Sequence, residues 1–163
     1  MERAGVRLEV LIWSQELLLE EGGKVLKRYR ISTALKGAGE RFGSECTPRG
    51  RHRIRLKIGE GCPFGTVFVA RRPTGEIYTP ELGRRHPGRD WILTRILWLT
   101  GANPGFNRGG HCDTLRRFIY IHGTAEEHFV GTPVSHGCIR MRSGDILELF
   151  DRVSNGTEVY IHA

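Results

Sequence analysis

No stretch of the 163-residue chain approaches the roughly 20 consecutive apolar residues of a membrane helix, so no membrane span is expected. Cysteine is scarce. The four present (Cys46, Cys62, Cys112 and Cys138) are too few for a disulfide scaffold in a chain this long. None forms a C-x-x-C pair, which leaves out the usual zinc and redox spacings. Acidic residues number 18 against 25 Lys and Arg, and the resulting charge of +7 favours an anionic partner. No lysine-rich tail or basic helix accompanies that charge, which argues against nucleic acid. The start, MERAGVRLEVLIW, has an early acid and no apolar stretch of signal-peptide length, so an export signal is not expected. Internal repeats, low-complexity tracts and interdomain linkers are missing too, which makes one domain over residues 1–163 the expectation.

What is present is glycine and alternation. The 22 glycines imply many turns and few long helices. Val6, Leu8, Val10 and Ile12 alternate with other residues as a strand does, and Gly22-Gly23 offers a tight turn before a second candidate at Lys24 to Ile31. In RHRIRLKI (51–58), Arg51, Arg53, Arg55 and Lys57 share one face and His52, Ile54, Leu56 and Ile58 the other. That basic face suits either an acidic substrate or plain solvent. Residues 61–78 hold two short strand-like pieces, and WILTRILWLTG (91–101) is apolar on both faces, as a central strand is. Residues 33–50 read as a long irregular connection. One segment is clearly helical: Ile146, Leu149, Phe150 and Val153 recur at helical spacing, with Ser143 or Asp145 as cap and Asn155-Gly156 as stop. A mainly β fold, sandwich- or barrel-like, with one short helix follows.

The segment IHGTAEEHFVGTPVSHGCIR (121–140) carries the chemistry. A free thiol is only a few per cent thiolate at neutral pH, and a neighbouring imidazole can take its proton to leave a reactive thiolate–imidazolium pair. His136 is two residues from Cys138, whereas His122 lies 16 residues upstream at a strand end and returns only through folding. Gly137 removes a Cβ beside the thiol, and backbone amides around Gly137 and Cys138 can face a developing oxyanion. Gly123 frees a carbonyl to orient the imidazole of His122. His111, Cys112, His122, His128, His136 and Cys138 supply ligand atoms for zinc, but H-x-C is not a usual structural spacing. From the residues alone, catalysis, a metal and a structural cysteine with hydrogen-bonded histidines all stay open.

SHGCIRM (135–141), preceded by IYIHGT (119–124), resembles the signature of the L,D-transpeptidase catalytic domain family, bacterial cysteine transpeptidases of peptidoglycan. TPRG (47–50), DTLRRFIYIHGT (113–124), ELFDRV (148–153) and the final GTEVYI (156–161) extend the likeness over essentially the whole chain. The resemblance implies Cys138 as nucleophile, His122 as general base and Gly123 as the residue whose carbonyl orients it. It places Ser135, His136, Gly137 and Arg140 in the lining of the site, with the oxyanion held near Gly137 and Cys138. No metal or organic cofactor is implied. The partner would be a peptidoglycan stem peptide and the product a 3→3 cross-link, with the protein in the periplasm or cell envelope; the missing export signal leaves a cytoplasmic role on precursors as the alternative. Water as acceptor would make the same site an L,D-carboxypeptidase, and a catalytically silent cell-wall-binding module is the remaining alternative. Two departures stand out. The spacer between His122 and Ser135 is a short 12 residues, and Arg140 stands where the family often has asparagine.

Overall fold

The computed structural model describes residues 5–163; Met1 to Ala4, part of the stretch read for an export signal, lie outside the described residues. Ten strands form one sheet: β1 (Val6–Leu11), β2 (Glu16–Glu21), β3 (Lys24–Arg30), β4 (Gly50–Ile58), β5 (Thr66–Val69), β6 (Arg72–Ile77), β7 (Ile92–Gly101), β8 (Tyr120–Gly123), β9 (Ile139–Met141) and β10 (Glu158–His162). Their order is β3-β2-β1-β10-β4-β7-β5-β6, and β8 and β9 branch from β7. β3 and β6 end the path without pairing to each other, so the mainly β fold is built on an open sheet. Two pairs are parallel, β1 with β10 and β8 with β9.

The branch point is the long apolar strand. Ile96, Leu97 and Trp98 of β7 pair with β4 on one side and with β8 on the other, so both edges are covered, with Ile96 and Leu97 fully buried and Trp98 partly so. Alternation then sorts the side chains. Leu97, Leu99, Ile121, Ile139 and Met141 pack with Ile146, Leu149 and Phe150 of the helix Ser143–Phe150 in one core cluster. Ile96, Trp98 and Tyr120 face the other way, with Phe68 and Cys138. The sheet thus has a structural face under the helix and a second face bearing the thiol.

Three local readings change. Ser143 is not a cap but the first helical residue, and its N–H donates to the Glu127 carboxylate at 2.8 Å, so the cap arrives from a separate turn. Asn155 does not stop the helix, which ends at Phe150; its side-chain oxygen accepts from the Lys57 N–H at 3.0 Å and finishes β4. Leu56 is exposed because the register of β4 against β7 shifts between Ile54 and Leu56. A second short helix, unforeseen above, spans Pro80–Arg85. Thr79 caps it by accepting from the Leu82 N–H at 3.1 Å, Pro80 sits at its first turn, and Arg84 and Arg85 lie in its last.

His52 of β4 is fully buried. Its Nδ1–H donates to the Gly50 carbonyl at 3.0 Å and its Nε2 meets the Thr114 hydroxyl at 2.9 Å, and burial pushes its pKa down to about 4. The unfolded chain takes up a proton near pH 6.5 that the folded state refuses until about pH 4, so stability falls as pH drops through that window. Chemical denaturation should show about 2 kcal/mol lost to this histidine between pH 7.5 and 5. His52→Gln should flatten that part of the pH dependence; an unchanged slope in the variant would contradict the assignment.

Candidate active site

Cys138 immediately precedes β9, and His122 is the third residue of β8. The parallel register pairs Ile121 with Ile139 and His122 with Arg140, which sets Cys138 beside Tyr120. Tyr120 and His122, two residues apart on one strand, project from the same face. The sulfur accepts from the Tyr120 N–H at 3.3 Å, and its S–H donates to the Phe118 carbonyl at 3.4 Å. Cys138 keeps partial exposure, while its side chain packs against Phe68, Ile96 and Tyr120. No hydrogen bond joins it to His122 in this state, although Asp90 and Arg140 perturb the titration of both residues.

The loop before the thiol is folded by hydroxyls. Ser135 Oγ donates to the Cys138 carbonyl at 2.5 Å and accepts from the Gly137 N–H at 3.2 Å. The Gly137 amide is therefore taken within the loop, and the N–H of Cys138 itself has no partner among the described residues. Gly137 has a φ of 130°, and a Cβ there would stand 3.1 Å from Ile119. Its carbonyl accepts from Thr47 Oγ1 at 3.0 Å, and Thr47 in turn accepts from the Ala34 N–H. The irregular connection before β4 runs alongside: Ser32 exchanges both main-chain hydrogen bonds with Arg140, and Ser135 donates to the Thr33 carbonyl at 2.9 Å. The segment read as a mere connection is a clamp on the cysteine loop.

His122 is buried, and its Nδ1 lies 2.7 Å from the Gly123 carbonyl. A carbonyl only accepts, so Nδ1 carries the hydrogen and the neutral ring presents Nε2 as a lone pair. Gly123 cannot take a side chain: a Cβ would come within 2.6 Å of the Leu93 carbonyl oxygen. Burial lowers the pKa of His122, against the opposing pull of the Gly123 carbonyl and Asp90. Burial also pushes the Cys138 thiol up to about 11, a rise that the Tyr120 N–H partly offsets. Burial thus works on both residues toward a neutral thiol and a neutral imidazole, against the ion pair that proximity alone suggests.

Arg140 is buried, with its guanidinium 3.6 Å from Asp90 and 3.9 Å from Glu126, both exposed. Neither is a close contact, and the guanidinium makes no hydrogen bond among the described residues. His136 is exposed and also lacks a hydrogen bond among the described residues. The basic face of β4 lies elsewhere: Arg51 and Arg53 line a separate cavity of about 320 Å³ with Arg108 and Glu158. Among the described residues no three His, Cys, Asp or Glu side chains are grouped to hold a metal. Asp90 and Arg117 were not singled out in the sequence; Arg117 falls within the quoted DTLRRFIYIHGT, whereas Asp90 lies outside every quoted motif.

The family model of the L,D-transpeptidase catalytic domain matches residues 6–161. The chain belongs to that family. It is 32% identical over 104 residues to the Escherichia coli (strain K12) protein named "Probable L,D-transpeptidase YbiS", covering 63% of this chain and 34% of that one. It is 44% identical over 96 residues to YkuD of Bacillus subtilis (strain 168), covering 58% and 48%. The chain therefore spans about a third to a half of these relatives. Among solved structures, an L,D-transpeptidase from Mycobacterium smegmatis matches 98% of this chain over 59% of its own, with a TM-score of 0.57 at 19% identity. L,D-transpeptidase 3 from Mycobacterium tuberculosis, in complex with a faropenem-derived adduct, covers 98% and 60% with a TM-score of 0.58 at 13% identity. At these identities the structures establish the fold. No helix among the described residues is long and apolar enough to cross a membrane.

The raised thiol has a direct signature. Iodoacetamide labelling of Cys138, followed peptide by peptide, should still be accelerating between pH 9 and 10, where an ordinary thiol of pKa near 8.5 has levelled off. A plateau below pH 8 at Cys138 would mean a resting thiolate and overturn the neutral description.

Proposed function

We propose that this domain catalyses acyl transfer between peptidoglycan stem peptides through a thioester on Cys138. The single observation that carries the reading is the β8–β9 pairing. It brings a thiol to the same sheet face as a histidine whose Nδ1–H is fixed by a carbonyl, leaving Nε2 as a base.

On binding, the thiol turns from the Phe118 carbonyl toward His122. The sulfur attacks the carbonyl between the diamino acid's L-centre and the terminal D-alanine of a tetrapeptide stem, and its proton passes to Nε2. The N–H of Cys138 donates to the oxyanion. Collapse breaks the C–N bond, and His122 gives its proton to the departing D-alanine. A side-chain amine of a second stem then attacks the thioester and surrenders a proton to His122. The thiolate leaves and is reprotonated, giving a 3→3 cross-link. Water in place of the amine yields a tripeptide, the L,D-carboxypeptidase outcome. Ser135 and Gly137 shape the loop, Arg140 offers a charge to a substrate carboxylate, and His136 stands at the rim. No cofactor enters. The polymer lies outside the cytoplasm, so the cell envelope is the place of action on this reading, and residues 1–163 act as a single catalytic domain.

Imipenem and a faropenem-derived adduct occur in the structures of relatives, which supplies a probe. Intact-protein mass spectrometry after incubation with a carbapenem should reveal one adduct on Cys138 in the wild type and none in Cys138→Ala. His122→Ala should slow acylation by roughly two to four orders of magnitude, and His136→Ala by far less. Wild-type protein that stays unmodified while its Cys138 thiol is accessible to iodoacetamide would sink the thioester reading. With stem peptides, a dimeric product separates the transpeptidase from the carboxypeptidase.

A further inference from the structure

The sulfur divides its face of the sheet along β8. His122 lies toward the C-terminal end of that strand and, on the reading just proposed, receives the proton destined for the departing amine. The leaving group therefore extends that way. The acyl chain that stays on the enzyme extends the opposite way, over Tyr120, Phe118 and Trp98, whose rings adjoin one another at centroid distances of 6.1 Å from Trp98.

Arg71 caps that second half. It comes from the tight turn between β5 and β6, where Ala70 and Arg71 have φ values of 49° and 65°, a left-handed pair usually given to Asn-Gly. Its guanidinium carbon stands 4.9 Å from the Trp98 ring centre and 4.7 Å from that of Phe118, and Nη1 donates to Tyr120 Oη at 3.0 Å. Two of the residues it touches hold the sulfur through their main chains, Tyr120 by its N–H and Phe118 by its carbonyl. The contrast with Arg117 is instructive. Arg117 also acts on Cys138, but its N–H groups are taken by the Gly39 and Cys46 carbonyls and the Ser44 hydroxyl. Arg71 has the one tyrosine hydroxyl, and no Asp or Glu pairs with it among the described residues. It is a half-buried cation, held over two aromatic rings, with donors to spare.

We propose that Arg71 is a specificity-determining residue that binds a free carboxylate on the acyl-donor half of the substrate, the half retained in the thioester. The assignment rests on the acyl-transfer reading above. A guanidinium is planar, so one held over two ring faces keeps its remaining N–H groups in one plane, the arrangement that matches a carboxylate's two oxygens. Lysine would keep the charge but neither the plane nor the fork. Arg140, paired in register with His122, lies on the leaving-group side, so the two arginines would read different parts of one peptide.

The test compares two tetrapeptide donors, one with free carboxylates on its acyl half and one with those carboxylates amidated, by the rate of thioester formation on Cys138. The wild type should prefer the free acid on the order of 10- to 100-fold, the scale of charge-assisted hydrogen bonds in a part-buried site. In Arg71→Gln that ratio should fall to about 1, and in Arg71→Lys to an intermediate value. A ratio in Arg71→Gln equal to the wild type's, including the case where both donors slow alike, overturns the proposal. So does a wild type indifferent to amidation. The acyl-transfer reading fails separately: a wild type acylated by neither peptide takes both readings down, whereas acylation without a carboxylate preference removes Arg71 alone.

Discussion

Two short strands, Tyr120–Gly123 and Ile139–Met141, run parallel side by side, and the site exists because they do. Parallel neighbours need a connection between them, and here it is the spacer and the Ser-His-Gly-Cys loop. The pairing is secured from below. Ile121, Ile139 and Met141 are fully buried with Ile146 and Leu149 of the following helix, so a slip of one residue would turn that apolar set outward and bring Cys138 and His122 into the core. Burial of one face thus sets the chemistry on the other.

The same burial decides the state of the two residues. A sulfur among Phe68, Ile96 and Tyr120 is poorly solvated as an anion, and an imidazole in the interior is poorly solvated as a cation. Their mutual attraction as an ion pair must first overcome both losses. Burial therefore favours the proton on sulfur for as long as the surroundings of the pair stay unchanged. Reactivity is then tied to occupancy of the site.

Much of the strand pattern was legible. The period-two alternation of β1 and β4, the two-sided apolar character of β7 and the Gly22-Gly23 turn all reflect local rules that the fold obeys. The places where reading failed are those where a distant group replaced a local one. The helix before Phe150 takes its first cap from Glu127 instead of its own serine, and Asn155 serves β4 instead of the helix. Pro80–Arg85 carried its own start signal in Thr79-Pro80-Glu81 but is one and a half turns long, too brief for a periodic stripe. In the site, spacing offered two histidines and the resemblance pointed to His122 with the Gly123 carbonyl; the fold shows that carbonyl 2.7 Å from its Nδ1. Arg71 was invisible because its partners lie 27 to 49 positions away.

The sheet's two unpaired margins are unlike. β3 lines its outer edge with Lys24, Lys27, Arg28 and Arg30, while β6 is interrupted by Pro73, which lacks an N–H, and by Gly75. One margin carries charge, with Lys27 and Arg28 paired to Glu148 and Glu16, and discourages a further copy; the other denies it a full ladder of donors. Part of the surplus of arginine and lysine therefore has a colloidal role. Both devices work against edge-to-edge growth of a long open sheet, the step by which fibrils are templated.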